Sequence, residues 1–213
     1  MKKLLFLILS IVVFLNLDAQ TENWNLVTAQ DNISVYTADA PNGYKTVKIT
    51  ATAEASLETF LSYLNDVNSY QKWVYKCGEA HKVKSIEPGN FIYYTRTEMP
   101  GMFSDRDLVV HSKQWLNQKD GIYHSESTAC PREIPEENGI VRIQHFDSKW
   151  ELKETPNGNL TINYIVSTDP GGSIPAWLVN MGITYGPIET MKNLITLAEK
   201  KEVQYLTYNS QKR

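Results

Sequence analysis

Apolar residues recur at three- and four-residue steps through residues 171–200, where Ile174, Trp177, Leu178, Met181, Tyr185, Ile188, Met191, Leu194, Ile195 and Ala198 form one series. That spacing sets them on one side of a helical cylinder. The stripe is too wide for a surface helix, so it calls for a covering layer. Ser173 is the expected N-cap, and Pro175 suits a first turn. Pro187 lacks the N–H that would bond the carbonyl of Ile183, which predicts a kink. With Gly182 and Gly186 beside it, this weak point makes the helix a candidate lid, although a bent core helix has the same pattern.

Upstream, the period shortens to two. Residues 24–27 read as a short helix or lead-in, and 33–36 and 44–52 alternate around Pro41-Asn42-Gly43, which predicts a hairpin. Ser56 caps a helix whose face carries Leu57, Phe60, Leu61 and Leu64, ending near Val67; a second short turn carries Tyr70, Trp73 and Val74. Six strands follow, at 79–86, 91–98, 107–115, 122–128, 140–152 and 160–168. Most are separated by short turns rich in Gly, Asn, Asp and Pro, so neighbours should be antiparallel. The connections at 99–106 and 131–138 are longer, and the first carries Met102 and Phe103 at its tip, as a binding loop would. The order predicts an α+β fold, a curved antiparallel sheet of about eight strands gripping a long C-terminal helix. A grip that does not close tightly leaves an apolar tunnel.

Two strands sharpen that idea. In 122–130, His124, Glu126 and Thr128 alternate with Tyr123, Ser125 and Ser127, and in 140–146 Val141, Ile143 and His145 oppose Arg142, Gln144 and Phe146. Strands with polar residues on both faces either lie at a sheet margin or line a cavity. A ligand pocket needs mostly apolar walls with a few oriented polar groups, for which Glu126, Arg142, Gln144 and Asn163 are candidates, with Trp177 and Met181 from the helix. A structural ion pair of Arg142 with Glu126 or Glu151 is the competing reading.

Charge and composition remove other classes. Of 213 residues, 21 are Lys or Arg and 24 Asp or Glu, scattered without a basic stripe, so nucleic acid is not an expected partner. Residues 1–19 open with Lys2 and Lys3 and continue into an apolar run over 4–15, broken only by Ser10. This layout predicts a signal peptide cleaved after Ala19 and export from a bacterial cell to the periplasm or beyond. The remaining residues, 20–213, suit a single domain. Cys77 and Cys130 are the only cysteines, and their pairing is open; no Cys or His spacing matches a metal site, and no cofactor is expected.

Three segments carry a resemblance. Ser104-Asp105-Arg106-Asp107-Leu108-Val109-Val110 after a Met-Pro turn, the run Asp169-Pro-Gly-Gly-Ser-Ile-Pro-Ala-Trp-Leu-Val-Asn180, and more weakly Gly139, Val141 and Arg142 within 134–143 resemble the steroidogenic-acute-regulatory-protein-related lipid-transfer (START) domain, in a secreted bacterial form. The resemblance spans about 24–200. It implies a helix-grip fold of the START and Bet v 1 type, with one lipid-sized tunnel gated by the last helix and the Met102–Phe103 loop. Arg106 and Asp107 then hold the loop–strand junction, and no head-group motif carries over. The leading expectation is a monomeric, non-catalytic carrier of a lipid or sterol-like molecule that touches membrane surfaces transiently. The alternative is a cyclase, aromatase or hydrolase using His111, His124, His145 or Glu126 as acid or base. A protein-interaction module built on the Met102–Phe103 loop or on the tail after Lys200 is a third reading, although the tail reads first as a frayed helix end.

Overall fold

A computed structural model of the chain describes residues 23–40, 44–174, 179, 183 and 185–210, the last five of these without their side chains. Ten strands form one sheet: β1 (Asn25–Gln30), β2 (Ile33–Asp39), β3 (Lys45–Ala53), β4 (Cys77–Glu87), β5 (Asn90–Thr97), β6 (Arg106–Asn117), β7 (Ile122–Ala129), β8 (Val141–Arg142), β9 (His145–Glu154) and β10 (Leu160–Asp169). The order across the sheet is β1-β2-β3-β10-β9-β7-β6-β5-β4, and β8 pairs with β6 off that path. All pairings are antiparallel except the short parallel one between β8 and the start of β6. The amino-terminal strands thus join the last strand, β3 against β10, while β1 and β4 form the two borders. On the β4 border, pairing with β5 slips at three places, Cys77/Glu79, Lys82/Lys84 and Ser85/Glu87.

Between β3 and β4 the chain forms α1 (Leu57–Leu64) and a 3-10 turn (Val67–Lys72). Ser56 caps α1 by accepting from the Thr59 amide at 3.2 Å. The hairpin between β4 and β5 turns at Gly89, where φ is +74° and a Cβ would sit 2.6 Å from the Gln114 carbonyl oxygen, so only glycine fits.

The terminal helix, α2 (Tyr185–Ser210), buries Met191, Leu194, Ile195 and Ala198 against the sheet, each at most 4% exposed. They join Val35, Val47, Ile49, Leu152, Leu160 and Ile162 from the strands and Phe60 and Leu64 from α1 in one core. Three expectations change, and two readings left open are decided. Residue 25 begins a strand, not a helix. The predicted strand at 140–152 is two pieces, β8 and β9, and with β1 the sheet has ten strands. Ile183 lies in a turn and α2 starts at Tyr185, so Pro187 occupies a first turn, where its missing N–H has no intrahelical partner to lose; it starts a helix instead of kinking one. The tail after Lys200 continues α2 as a helix end, and this part of α2 is tied to α1 and the residues just before it: Glu199 accepts from the Glu54 amide, Glu202 from Ser56 and Thr59, and Lys201 donates to Ser62. Cys77 and Cys130 are free thiols. Three strand spacings, roughly 14 Å, and a further offset of about three residues along the strands separate them, beyond the roughly 7 Å Cα separation a disulfide tolerates. The turn predicted at 41–43, the leader at 1–19, and Trp177, Leu178 and Met181 lie outside the described residues.

Candidate functional site

Between the inner face of the sheet and the start of α2 lies a cavity of about 580 Å³. A methylene-sized group occupies about 30 Å³, so the space takes roughly twenty of them, within the range of small-molecule pockets. Its walls follow from strand alternation. On β7, Ser125 and Ser127 point inward while His124, Glu126 and Thr128 point out; on β9, Phe146, Ser148 and Trp150 point inward. Tyr164 and Val166 continue the wall on β10, and Tyr93 and Thr95 on β5. Trp150 and Tyr164 stack at 4.1 Å between ring centroids, and Tyr70 meets Trp73 and Tyr93 edge-on at 4.7 and 5.6 Å. Burial pushes the Tyr93 and Tyr164 phenols well above their ordinary range, so both are neutral hydroxyls at any working pH.

Among the described residues, charged groups line the cavity only at its mouth. Lys45, Lys76 and Glu98 border the cavity, the last two exposed and the first half-exposed and bonded to Asp39 at 2.8 Å. Met99, Pro100 and Phe103 bring the 99–106 loop to this rim, opposite Ile174, Ile183, Tyr185 and Pro187. Tyr75 fastens the start of α2 there: its amide donates to Thr190 Oγ1 at 3.0 Å, and its ring meets Tyr185 edge-on at 5.3 Å. Phe103 therefore lines the cavity, whereas Met102 is 94% exposed beside it.

Arg106 and Asp107 lie at the base of that loop. Arg106 donates to the carbonyls of Ser104, Pro170 and Gly171, tying the loop to the segment that leads to the terminal helix. Gly172, at φ +68°, leaves room for it, since a Cβ there would lie 3.1 Å from the guanidinium. Asp107 holds Arg142, which also donates to the carbonyls of Pro131, Ile134 and Pro135 and so closes the 131–138 loop over the outer face of the sheet. Bonding to the Asp107 carboxylate, against the opposing effect of burial, raises the pKa of Arg142 still further.

Four of the six residues expected to bind ligand are placed elsewhere. Glu126 is exposed and pairs with Lys149 at 3.8 Å; Gln144 is exposed and donates to the Arg142 carbonyl; Asn163 donates to Glu151; Arg142 is committed to Asp107. The physical reason is register. Ser127 pairs with Ser112 and Ser148, which turns the odd positions of β7 inward and its even, charged positions outward. The expected ion-pair partners of Arg142, Glu126 and Glu151, give way to Asp107 because β8 lies parallel to the start of β6. Trp177 and Met181 lie outside the described residues. None of His111, His124, His145 and Glu126 lines the cavity. His111 faces Asn90 at 2.6 Å, and His124 stacks on Trp115 on the outer face. Among the described residues, no cluster of three or more His, Cys, Asp and Glu side chains could hold a metal, and no helix is long and apolar enough to cross a membrane. The serines and tyrosines of the wall were not singled out by sequence; their signal was the alternation of Tyr123, Ser125 and Ser127 within a strand that faces the core.

Known proteins resemble this chain in sequence or in fold. An uncharacterised protein of Pseudomonas aeruginosa is 31% identical over 185 residues, covering 86% of this chain and 91% of its own. The phosphatidylcholine transfer protein of Bos taurus is 25% identical over 178 residues, covering 81% and 82%. A STAR-related lipid transfer protein of Xanthomonas axonopodis superposes with a TM-score of 0.75 at 25% identity, over 81% of this chain and 97% of that one. Human StAR-related lipid transfer protein 5 shares the fold, with a TM-score of 0.77 at 18% identity over 85% and 89%. The sequence pattern of the START domain matches residues 9–202. A curved sheet closed on a terminal helix around an apolar cavity, together with that match along most of its length, means that this chain belongs to the START domain family.

Proposed function

We propose that the protein binds a single hydrophobic molecule in the cavity between sheet and α2 and carries it through water without altering it. The observation that carries this reading is the cavity itself: about 580 Å³ walled by aromatic and aliphatic side chains and hydroxyls, with charge confined to its mouth. Filling it buries roughly twenty methylene-sized groups at about 0.8 kcal/mol each. That gross gain of about 16 kcal/mol exceeds most estimates of the association cost, about 4–15 kcal/mol, so retention needs no further chemistry. The START relatives named as lipid transfer proteins give the same class of ligand. The enzymatic alternative called on His111, His124, His145 or Glu126, and none of these four lines the space.

The reading extends to place and partners. Cleavage of a leader at residues 1–19 would deliver a monomeric bacterial carrier to the periplasm or medium, where an apolar cargo must cross water between membranes. Met102 and Tyr185, 94% and 55% exposed beside the mouth, are the residues through which it would touch a lipid surface for loading and release. Native mass spectrometry of the protein purified from its own envelope, followed by organic extraction, tests the proposal. One apolar adduct per chain is expected. A clean apo mass together with no uptake from labelled vesicles would refute it.

A further inference from the structure

We infer that the cargo's buried end is uncharged and carries a hydroxyl or carbonyl, recognised by a serine cluster on the sheet. This rests on the carrier reading above and narrows it to neutral lipids: single-chain alcohols and glycerides, or compact ring alcohols.

Ser112 on β6, Ser127 on β7 and Ser148 on β9 are directly paired neighbours, so they form one row across three adjacent strands on the cavity side. Ser125 lies on the same face two residues along β7. A row of serines at core positions is costly unless it serves something, because each hydroxyl loses water on burial. Bonding within the group is thin: Ser112 and Ser125 stand 3.5 Å apart, the outer limit of a hydrogen bond, and Ser127 reaches the Tyr93 phenol. Capacity is left for a ligand. A hydroxyl both donates and accepts, so it suits an alcohol or a carbonyl equally.

The same wall is hostile to charge. Every charged side chain at the cavity is at its mouth, and the residues outside the described set along this part of the chain, 175–178, 180–182 and 184, include none. A phosphate, carboxylate or ammonium pushed to the serine row would meet no counter-charge. A charged lipid inserted tail-first would keep its head in water, but would set hydrocarbon against the serine row and leave its spare hydrogen-bonding capacity unused. Only a neutral polar end satisfies the row.

Displacement of the neutral dye Nile red from the full chain, at pH 8 and below micelle-forming concentrations, separates these cases. The competitors share one oleoyl chain: monooleoylglycerol, oleate and oleoyl-lysophosphatidylcholine. Monooleoylglycerol is expected to displace the dye at least about tenfold more effectively than the two charged lipids, the effect of one well-placed hydrogen-bonding group. The double variant Ser112→Ala, Ser127→Ala, with each displacement referred to that variant's own Nile red affinity, should bring the three competitors to within about twofold of one another. Equal displacement by all three in the wild type would overturn the inference while leaving the carrier reading intact. An unchanged preference in the serine variant would overturn the assignment to these residues. Failure of the wild type to take up Nile red at all would instead sink the carrier reading, and the inference with it.

Discussion

Arg142 and Asp107 face each other through two parallel hydrogen bonds, Nε to Oδ1 at 2.7 Å and a terminal guanidinium nitrogen to Oδ2 at 2.8 Å, with both side chains 1% exposed. The pair links β8 to β6, and through the Pro131, Ile134 and Pro135 carbonyls it also closes the outer loop. Removing one partner strands a buried charge. Asp107→Ala is expected to cost about 3–5 kcal/mol in urea unfolding, and the double variant Asp107→Leu, Arg142→Met less than that single change. A double variant as damaged as the single one would show that packing, not charge, is what the pair supplies.

Filling the cavity separates binding from stability. Ser148 projects into the space between Ser127 and Val166, so Ser148→Phe puts a ring where a ligand would lie. Ligand uptake from vesicles is expected to fall at least about tenfold while the melting temperature holds or rises, because apolar contact replaces empty volume. Unchanged uptake would place the cargo elsewhere.

Tyr75 and Thr190 form the latch at the start of α2. Thr190→Val leaves the Tyr75 amide without its acceptor, a loss of about 1 kcal/mol. Ligand release, followed by dye dissociation, is expected to quicken several-fold while core amide exchange is unchanged.

Glu202 gives a pH dependence of known sign. Its carboxyl titrates below the ordinary 4.5 because it accepts from the Thr59 hydroxyl, against partial burial, and from the Ser56 hydroxyl and amide. A group whose folded-state pKa is depressed adds stability above its unfolded pKa and gives it up as pH falls through the folded value. As pH falls through and below the ordinary carboxylate value of 4.5, the contact between α2 and α1 should therefore loosen, by less than about 1 kcal/mol because the pair is partly exposed. Amide exchange near Ser56 should quicken over that range, and Glu202→Gln should flatten the dependence.

The grip was legible in the chain because its two signals are strong and local. The stripe ending in Met191, Leu194, Ile195 and Ala198 and the alternation of β5, β6 and β10 each state a buried face outright. The polar lining was harder to read, for a physical reason. On β7, His124, Glu126 and Thr128 look more functional than Tyr123, Ser125 and Ser127, and nothing within the strand says which set turns inward; that is decided by pairing with β6 and β9, residues far away in sequence. Arg142 misled in the same way. Its partner, 35 positions earlier, is reached only because β8 runs parallel to the start of β6. Pro187 broke a helix by rule but began one in fact, since the same missing N–H serves both roles.

The uneven ladder along β4 bears on how this molecule behaves in a crowd. A free sheet border with regularly spaced amides and carbonyls is a template on which a second chain can add itself, and such addition grows into insoluble fibres. Three slips within eleven residues, with Lys82 and Lys84 exposed among them, deny a newcomer any continuous run of partners. The β4 border therefore offers a second chain no continuous template, even when the oily interior is momentarily empty.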